Sequence, residues 1–151
     1  MKMSTKGRYG LRAMIELASH TGEQPVPLSV IARSEEISER YLEQLMTKMK
    51  KAGLVTSCRG SAGGYSLAMK PEDISVGAIL RAVEGNLNPV DCSAGIESTC
   101  ENSSACVAKY VWQKVNDSIN EAVDGISLAE LVAKIPEDEK KVAGAACACQ
   151  G

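Results

Sequence analysis

Through the first half of the chain, apolar residues recur at the spacing of helices, then give way to short extended runs set between glycines. Leu11, Met14, Ile15 and Ala18 stand at i, i+3, i+4 and i+7 within residues 5–19, which predicts a first helix ended by the punctuation from Gly22 to Pro27. Val30, Ile31 and Ala32 predict a short second helix over residues 28–35. Ile37 and Ser38 then make a tight turn, with Ser38 as the N-cap of a third helix over residues 39–52 that carries Leu42, Leu45, Met46 and Met49 on one stripe and stops at Gly53. Two short helices joined by such a turn form a helix-turn-helix, whose second helix enters the DNA major groove. Leu54 to Cys58 reads as a strand, Arg59 to Gly64 as a glycine-rich tip and Tyr65 to Leu67 as the returning strand, a β-hairpin in the position of a wing.

The second half is patterned differently. Ser75 is placed to cap a fourth helix over residues 76–84, and Gly85 to Glu101 is a loop without periodicity. The longest helix is predicted from Ala105 to Val123, with Ala108, Val111, Trp112, Val115, Ile119, Ala122 and Val123 on one continuous apolar stripe that a small winged domain cannot cover alone. Ser127 to Glu130 matches a capping box and opens a last short helix, and the charged run after Pro136 and the small-residue tail read as disordered. The expected fold class is mainly α with a small β-hairpin wing: a winged helix-turn-helix plus a long dimerisation helix. Its expected parts are a DNA-binding domain at 1–84, a cysteine-bearing loop at 85–104, the dimerisation and C-terminal helices at 105–135, and a tail at 136–151.

Charge sharpens this division. Residues 1–70 hold 11 Lys and Arg against 6 Asp and Glu, a net of +5, whereas residues 71–151 hold 6 against 13, a net of −7. A basic half joined to an acidic one suits a nucleic-acid reader with a separate regulatory or assembly part, because phosphate contacts supply most non-specific affinity. No apolar run approaches the roughly 20 residues of a membrane span, and the start lacks the apolar core of a signal peptide, so the chain is expected in the cytoplasm with no membrane partner. No nucleophile–histidine–carboxylate set or phosphate-binding loop is discernible, and the chain is not expected to be an enzyme.

The candidate base-reading residues lie on the polar face of the third helix: Ser38, Glu39, Arg40, Tyr41, Glu43, Gln44, Thr47 and Lys48. Arg pairs with guanine, Gln with adenine, and Glu accepts from the cytosine amine. Arg59 and Gly60 at the wing tip suit a minor groove, whose negative potential draws the guanidinium. Tyr9, beside Lys6 and Arg8, is a phosphate-contact candidate or a core ring. His20, the single histidine, falls at a helix end where the dipole favours a positive charge.

Six cysteines in a reducing compartment do not suggest a disulfide scaffold. Cys92, Cys100 and Cys106 are spaced C-x7-C-x5-C, so three thiols can converge on one point as ligands of a soft metal. Iron–sulfur clusters are held by such thiolates; zinc accepts three as well, and buried or redox-switch cysteines remain the alternatives. Cys58, in a strand, is expected in the core, and Cys147 and Cys149 lie in the tail.

These residues carry a resemblance. STKGRYGLRAM at the start, YLEQL in the third helix, LVTSCRGSAGGY at the wing, VGAILRAVEG after it, the cysteine trio and the ISLAEL ending together resemble the IscR-like regulators of the Rrf2 family of winged helix-turn-helix transcription factors, over residues 1 to about 135. The resemblance implies a homodimer built by crossing the long helices, a palindromic operator in double-stranded DNA, and a 2Fe–2S or related cluster held by the trio. It also implies DNA reading by Glu43, Gln44 and Arg59. Two positions depart: Lys109 stands where IscR has a histidine ligand, and Arg8 where nitric-oxide-sensing members have an acidic residue in the first helix. The first pair of cysteines is also two residues further apart than in IscR. A fourth ligand would come from Asp91, Glu97, Glu101, a tail cysteine or a non-protein group. The family also contains cluster-free repressors of cysteine metabolism, and the competing reading is a regulator of that type, controlled by a metabolic enzyme bound to the acidic half or by cysteine oxidation.

Overall fold

The structure is a computed structural model that describes residues 3–20, 24–90 and 106–139. Cys92, Cys100, the tail cysteines and the acidic ligand candidates Asp91, Glu97 and Glu101 lie outside them. The elements run α1 (Thr5–Ser19), α2 (Leu28–Ser34), α3 (Glu39–Lys51), β1 (Val55–Cys58), β2 (Gly64–Leu67), a 3-10 turn (Pro71–Asp73), α4 (Val76–Glu84), α5 (Ala108–Asp124) and α6 (Leu128–Ala133). The fold is mainly α with a two-stranded antiparallel wing, as the periodicity predicts.

Capping chemistry sets most helix boundaries. The hydroxyls of Ser38, Ser75 and Ser127 accept hydrogen bonds from the backbone N–H groups of Tyr41, Ala78 and Glu130, satisfying donors that a helix start leaves open. At α1 the Ser4 hydroxyl is joined by a distant carboxylate: Glu84, at the end of α4, accepts from Gly7 N at 3.0 Å and from the Ser4 hydroxyl. That contact puts negative charge at the positive end of the α1 dipole and ties the first helix to the fourth.

The core is aliphatic and rich in methionine. The chain has no phenylalanine, and its one tryptophan lies on α5. Met14 and Leu17 of α1, Ile31 of α2, Leu42, Leu45, Met46 and Met49 of α3, and Ile79 and Val83 of α4 meet in one cluster. Unbranched methionine side chains fill the irregular space between helices that a rigid ring would fit poorly. The chain also returns from α5 to close this cluster: Leu128 is 0% exposed, its N–H donates to Ile74 O at 2.8 Å, and Val76 N donates to Ile126 O at 2.9 Å. The last helix therefore packs in the core of the winged unit.

The wing has a rung that periodicity misses. Beyond the register Val55 to Leu67 and Cys58 to Gly64, Val26 exchanges two 2.8 Å backbone hydrogen bonds with Tyr65. Val26 stands between Pro25 and Pro27, neither of which has an N–H to give, so pairing is confined to one residue. Cys58 is exposed, contrary to the expectation of a core cysteine. In the four-residue β1 the side chains alternate: Val55 is buried while Thr56 and Cys58 face outward, and among the described residues no second layer covers that face.

The turn between α2 and α3 is held from α1. Glu36 adopts φ 55°, a left-handed conformation uncommon for a residue with a Cβ. Its neighbour Glu35 is buried with Oε2 2.6 Å from Arg12 Nε. Desolvation pushes the Glu35 carboxyl above the ordinary glutamate range, while the Arg12 guanidinium pulls the other way. A raised folded-state value favours the protonated form, so this contribution to stability is fully present below the unfolded pKa and is lost as pH rises through the raised one. Urea unfolding of wild type and Glu35→Gln between about pH 4 and pH 7 should show wild type losing ground to the variant as pH rises. A difference independent of pH contradicts the assignment.

Candidate nucleic-acid interface

The apolar stripe of α3 is drawn into the core, and this turns the opposite face outward. Ser38, Glu39, Arg40, Glu43, Gln44 and Thr47 are exposed along it. Four of the sequence candidates have other engagements. The Ser38 hydroxyl caps the helix at 3.2 Å from Tyr41 N. Tyr41 is half-buried, its ring set edge-on to Tyr9 with centroids 6.1 Å apart, and Arg12 lies over the Tyr9 ring at 5.6 Å. The two tyrosines thus form a half-buried joint between α1 and α3 packed against the core. Lys48, on the predicted polar face, instead donates from Nζ to Val83 O at 3.2 Å and braces α3 on α4.

The wing stands beside α3 and leaves an open cleft of about 530 Å³ between them, lined among others by Glu39, Glu43, Lys50, Cys58, Arg59 and Tyr65. Arg59 and Gly60 are exposed at the wing tip. Gly60 has φ +109°, a conformation that side chains with a Cβ rarely adopt, so the sharp tip requires glycine there. Lys50 Nζ donates to Ser57 Oγ at 2.6 Å and spans the cleft from helix to wing. Neither partner of that contact stands out in sequence, since it joins a last-turn lysine to a strand serine. Burial, and secondarily the charge of Glu43, push the Tyr65 phenol above its ordinary value, which keeps it a neutral hydrogen-bonding group. The described surface thus presents the exposed polar face of α3, the exposed Arg59 and Gly60 at the wing tip, and Lys51 at the end of α3.

A second region lies at the start of α5. Cys106 is exposed and unbonded just before the helix, its carbonyl accepting from Lys109 N at 3.2 Å. Helix α5 begins three residues later than the periodicity predicts and buries no residue of its own. Val107 is 85% exposed, and Tyr110, Val111 and Trp112 are exposed with it, a run of large apolar side chains facing solvent in the isolated chain. Among the described residues no cluster of histidine, cysteine or carboxylate side chains is arranged to hold a metal ion, and two members of the cysteine trio lie outside them. Among the described residues, too, no helix is long and apolar enough to cross a membrane.

Comparison with known proteins bears on both regions. The family model of Rrf2, described as an iron-dependent transcriptional regulator, matches residues 3–134. The HTH-type transcriptional regulator IscR of Aliivibrio salmonicida is 42% identical over 132 residues, covering 87% of this chain and 77% of that one. The solved structure of T. potens IscR superposes with a TM-score of 0.71 at 44% identity, covering 91% of this chain and 93% of that one. The structure of CymR, the global cysteine regulator of B. subtilis, superposes with a TM-score of 0.73 at 40% identity, covering 90% and 99%. The chain is thus similar to IscR and to CymR in nearly equal measure.

Proposed function

The chain belongs to the Rrf2 family of transcriptional regulators, and on that premise we propose that it is a homodimeric, sequence-specific repressor whose operator binding is controlled by an iron–sulfur cluster on Cys92, Cys100 and Cys106. The observation that carries the DNA-binding part is the outward polar face of α3 set beside the Arg59–Gly60 wing tip across an open cleft. In this reading Arg40, Glu43 and Gln44 meet base edges, Arg59 enters the adjoining minor groove, and Gly60 brings backbone close to phosphate. Ser38, Tyr9 and Tyr41 act at one remove, by fixing the start of α3 and its seat on α1. Residues 1–84 would bind DNA, 85–104 carry ligands, 105–135 hold two copies together through α5, and 136–151 form a tail. The operator would be palindromic, mirroring the dimer's two-fold axis, and the setting cytoplasmic.

The cluster assignment is supported by the chemistry of the donors. Three cysteines supply soft thiolates suited to iron and to sulfide-bridged iron, and Cys106, the one within the described residues, is exposed and free. A bound 2Fe–2S or related cluster would supply a centre whose presence and oxidation state follow iron supply and oxidants. Lys109, one turn along at the start of α5, makes a poor fourth ligand because a protonated amine has no lone pair to give. The second reading, a cluster-free regulator of cysteine metabolism governed by a bound metabolic enzyme or by thiol oxidation, draws support from the equal likeness to CymR. Zinc on the same thiols is a third outcome the experiment below separates.

Arg59→Ala should weaken specific DNA binding by about 1–3 kcal/mol, read by anisotropy titration at fixed salt on a duplex the wild type selects from a random pool. Unchanged affinity would remove the wing from the interface. Protein purified without oxygen should be coloured and contain iron and acid-labile sulfide. Cys92→Ala, Cys100→Ala and Cys106→Ala should each abolish the colour while far-ultraviolet dichroism stays the same. Colourless protein, with zinc or with no metal, contradicts the cluster and leaves DNA binding intact.

A further inference from the structure

Among the described residues, helix α5 is tied to the winged unit at its C-terminal end, and the attachment has two parts. Just beyond the helix, backbone hydrogen bonds from Val76 N to Ile126 O and from Leu128 N to Ile74 O fix where the chain re-enters the core, with Ser75 and Ser127 paired between them. These bonds make a pivot without setting the direction in which the helix leaves it. The direction is set one turn back by side chains. Arg81 of α4 grips Asp124 with two hydrogen bonds, Nη1 to Oδ1 at 2.7 Å and Nη2 to Oδ2 at 2.8 Å, and its Nη2 also donates to Asn120 Oδ1. Asn120 is itself oriented, donating from Nδ2 to Asn116 O at 2.8 Å. Opposite them Gly77 leaves no room: a methyl group on it would overlap Asp124 Oδ1 and crowd Arg81 Nη1.

The energetics argue that this joint serves geometry more than stability. Arg81 and Asp124 side chains are 36% and 47% exposed, and ion pairs so exposed add little to stability. The hydrogen bonds from Arg81 hold the Asp124 carboxyl below the ordinary aspartate range, so the pair stays charged across the physiological span. What a planar, two-pronged contact adds over a single one is angular definition. Over the 17 residues of α5, about 25 Å at 1.5 Å per residue, a rotation of about 5° at the joint moves the far end by about 2 Å. That far end carries Trp112, Val111 and the chain leading to Cys106.

We propose that Arg81, Asp124, Asn120 and Gly77 form a positioning joint that fixes the angle of α5 against the winged unit, and so sets the distance between the two recognition helices on DNA. The inference rests on the dimer reading above, in which the exposed run of α5 meets its copy. Two recognition helices must fall about 34–36 Å apart to enter successive major grooves on one face of the duplex. A joint that fixes the angle therefore selects operators by spacing, with no base contact of its own.

The test uses the full chain and a duplex selected by the wild type from a pool randomised over some 40 base pairs. It also uses the same duplex lengthened or shortened by one base pair at its centre, and a version with one half scrambled. Arg81→Gln and Asp124→Asn should remain dimers by sedimentation and bind the half-scrambled duplex as the wild type does. They should lose at least about tenfold in affinity for the intact duplex and much of the preference over its altered spacings. The exchange Arg81→Asp with Asp124→Arg should recover part of that preference. If Arg81→Gln fails to fold, Asp124→Asn, which keeps the side chain's shape, carries the comparison. Variants that keep the wild-type spacing preference, or that lose both duplexes equally, overturn the joint while the dimer stands. A monomeric wild type overturns both.

Discussion

Everything the surface offers depends on how α3 is seated. Leu42, Leu45, Met46 and Met49 are each at most 2% exposed, and burying a side chain of that size is worth about 1.5–3 kcal/mol, far more than any surface contact of the helix. A rotation of α3 that improved one outward contact would expose part of this stripe, so the polar face has no freedom of its own. The aromatic joint between Tyr9 and Tyr41, the Lys48 bond to Val83 O and the Arg12–Glu35 pair then fix the remaining tilt from α1 and α4. The base-reading role proposed for α3 would need this rigidity, because hydrogen bonds to base edges tolerate only small displacements.

The same core draws a line between reading and regulation. It takes in α6 through Leu128 but leaves α5 outside, a 17-residue helix with no buried residue and its largest apolar side chains in solvent. A helix so placed can respond to a second copy or to chemistry near Cys106 without disturbing the packing beneath α3. Helix α4 is the shared element. Its inner face holds Ile79 and Val83 in the core, Glu84 at its end anchors α1, and Arg81 on its outer side grips α5. Altered geometry at α5 can therefore reach α1 and the core beneath α3 through one short helix, whose contacts on both sides are specific.

Much of this was legible in the sequence because it is local. The starts of α3 and α4 follow from a serine cap and a 3.6-residue apolar period, both within a dozen residues, and the glycine-rich tip announces the wing. The features that periodicity misses depend on distant partners or on the absence of a covering layer. Val26 pairs with Tyr65 across 39 residues through its backbone, which leaves no side-chain signal. Cys58 looks apolar enough for a core, yet its side chain is exposed and borders the open cleft beside α3. Lys48 lies on the polar arc of α3 but reaches back to Val83, 35 residues on, and Arg81 meets Asp124 over 43. The late start of α5 is of the same kind, since residues before Ala108 continue the apolar pattern without a side-chain cap to hold a first turn. For the cysteine trio, spacing and donor type are the evidence that the sequence itself supplies.

The central claim is that two winged units act as a pair joined through the exposed run of α5. Sedimentation equilibrium at micromolar concentration tests it most directly, on the wild type and on a variant with Val111→Glu and Trp112→Glu, which places charge on that run without touching the core. The account predicts twice the chain mass for the wild type and a folded monomer for the variant. A monomeric wild type, or a variant that stays dimeric, contradicts it.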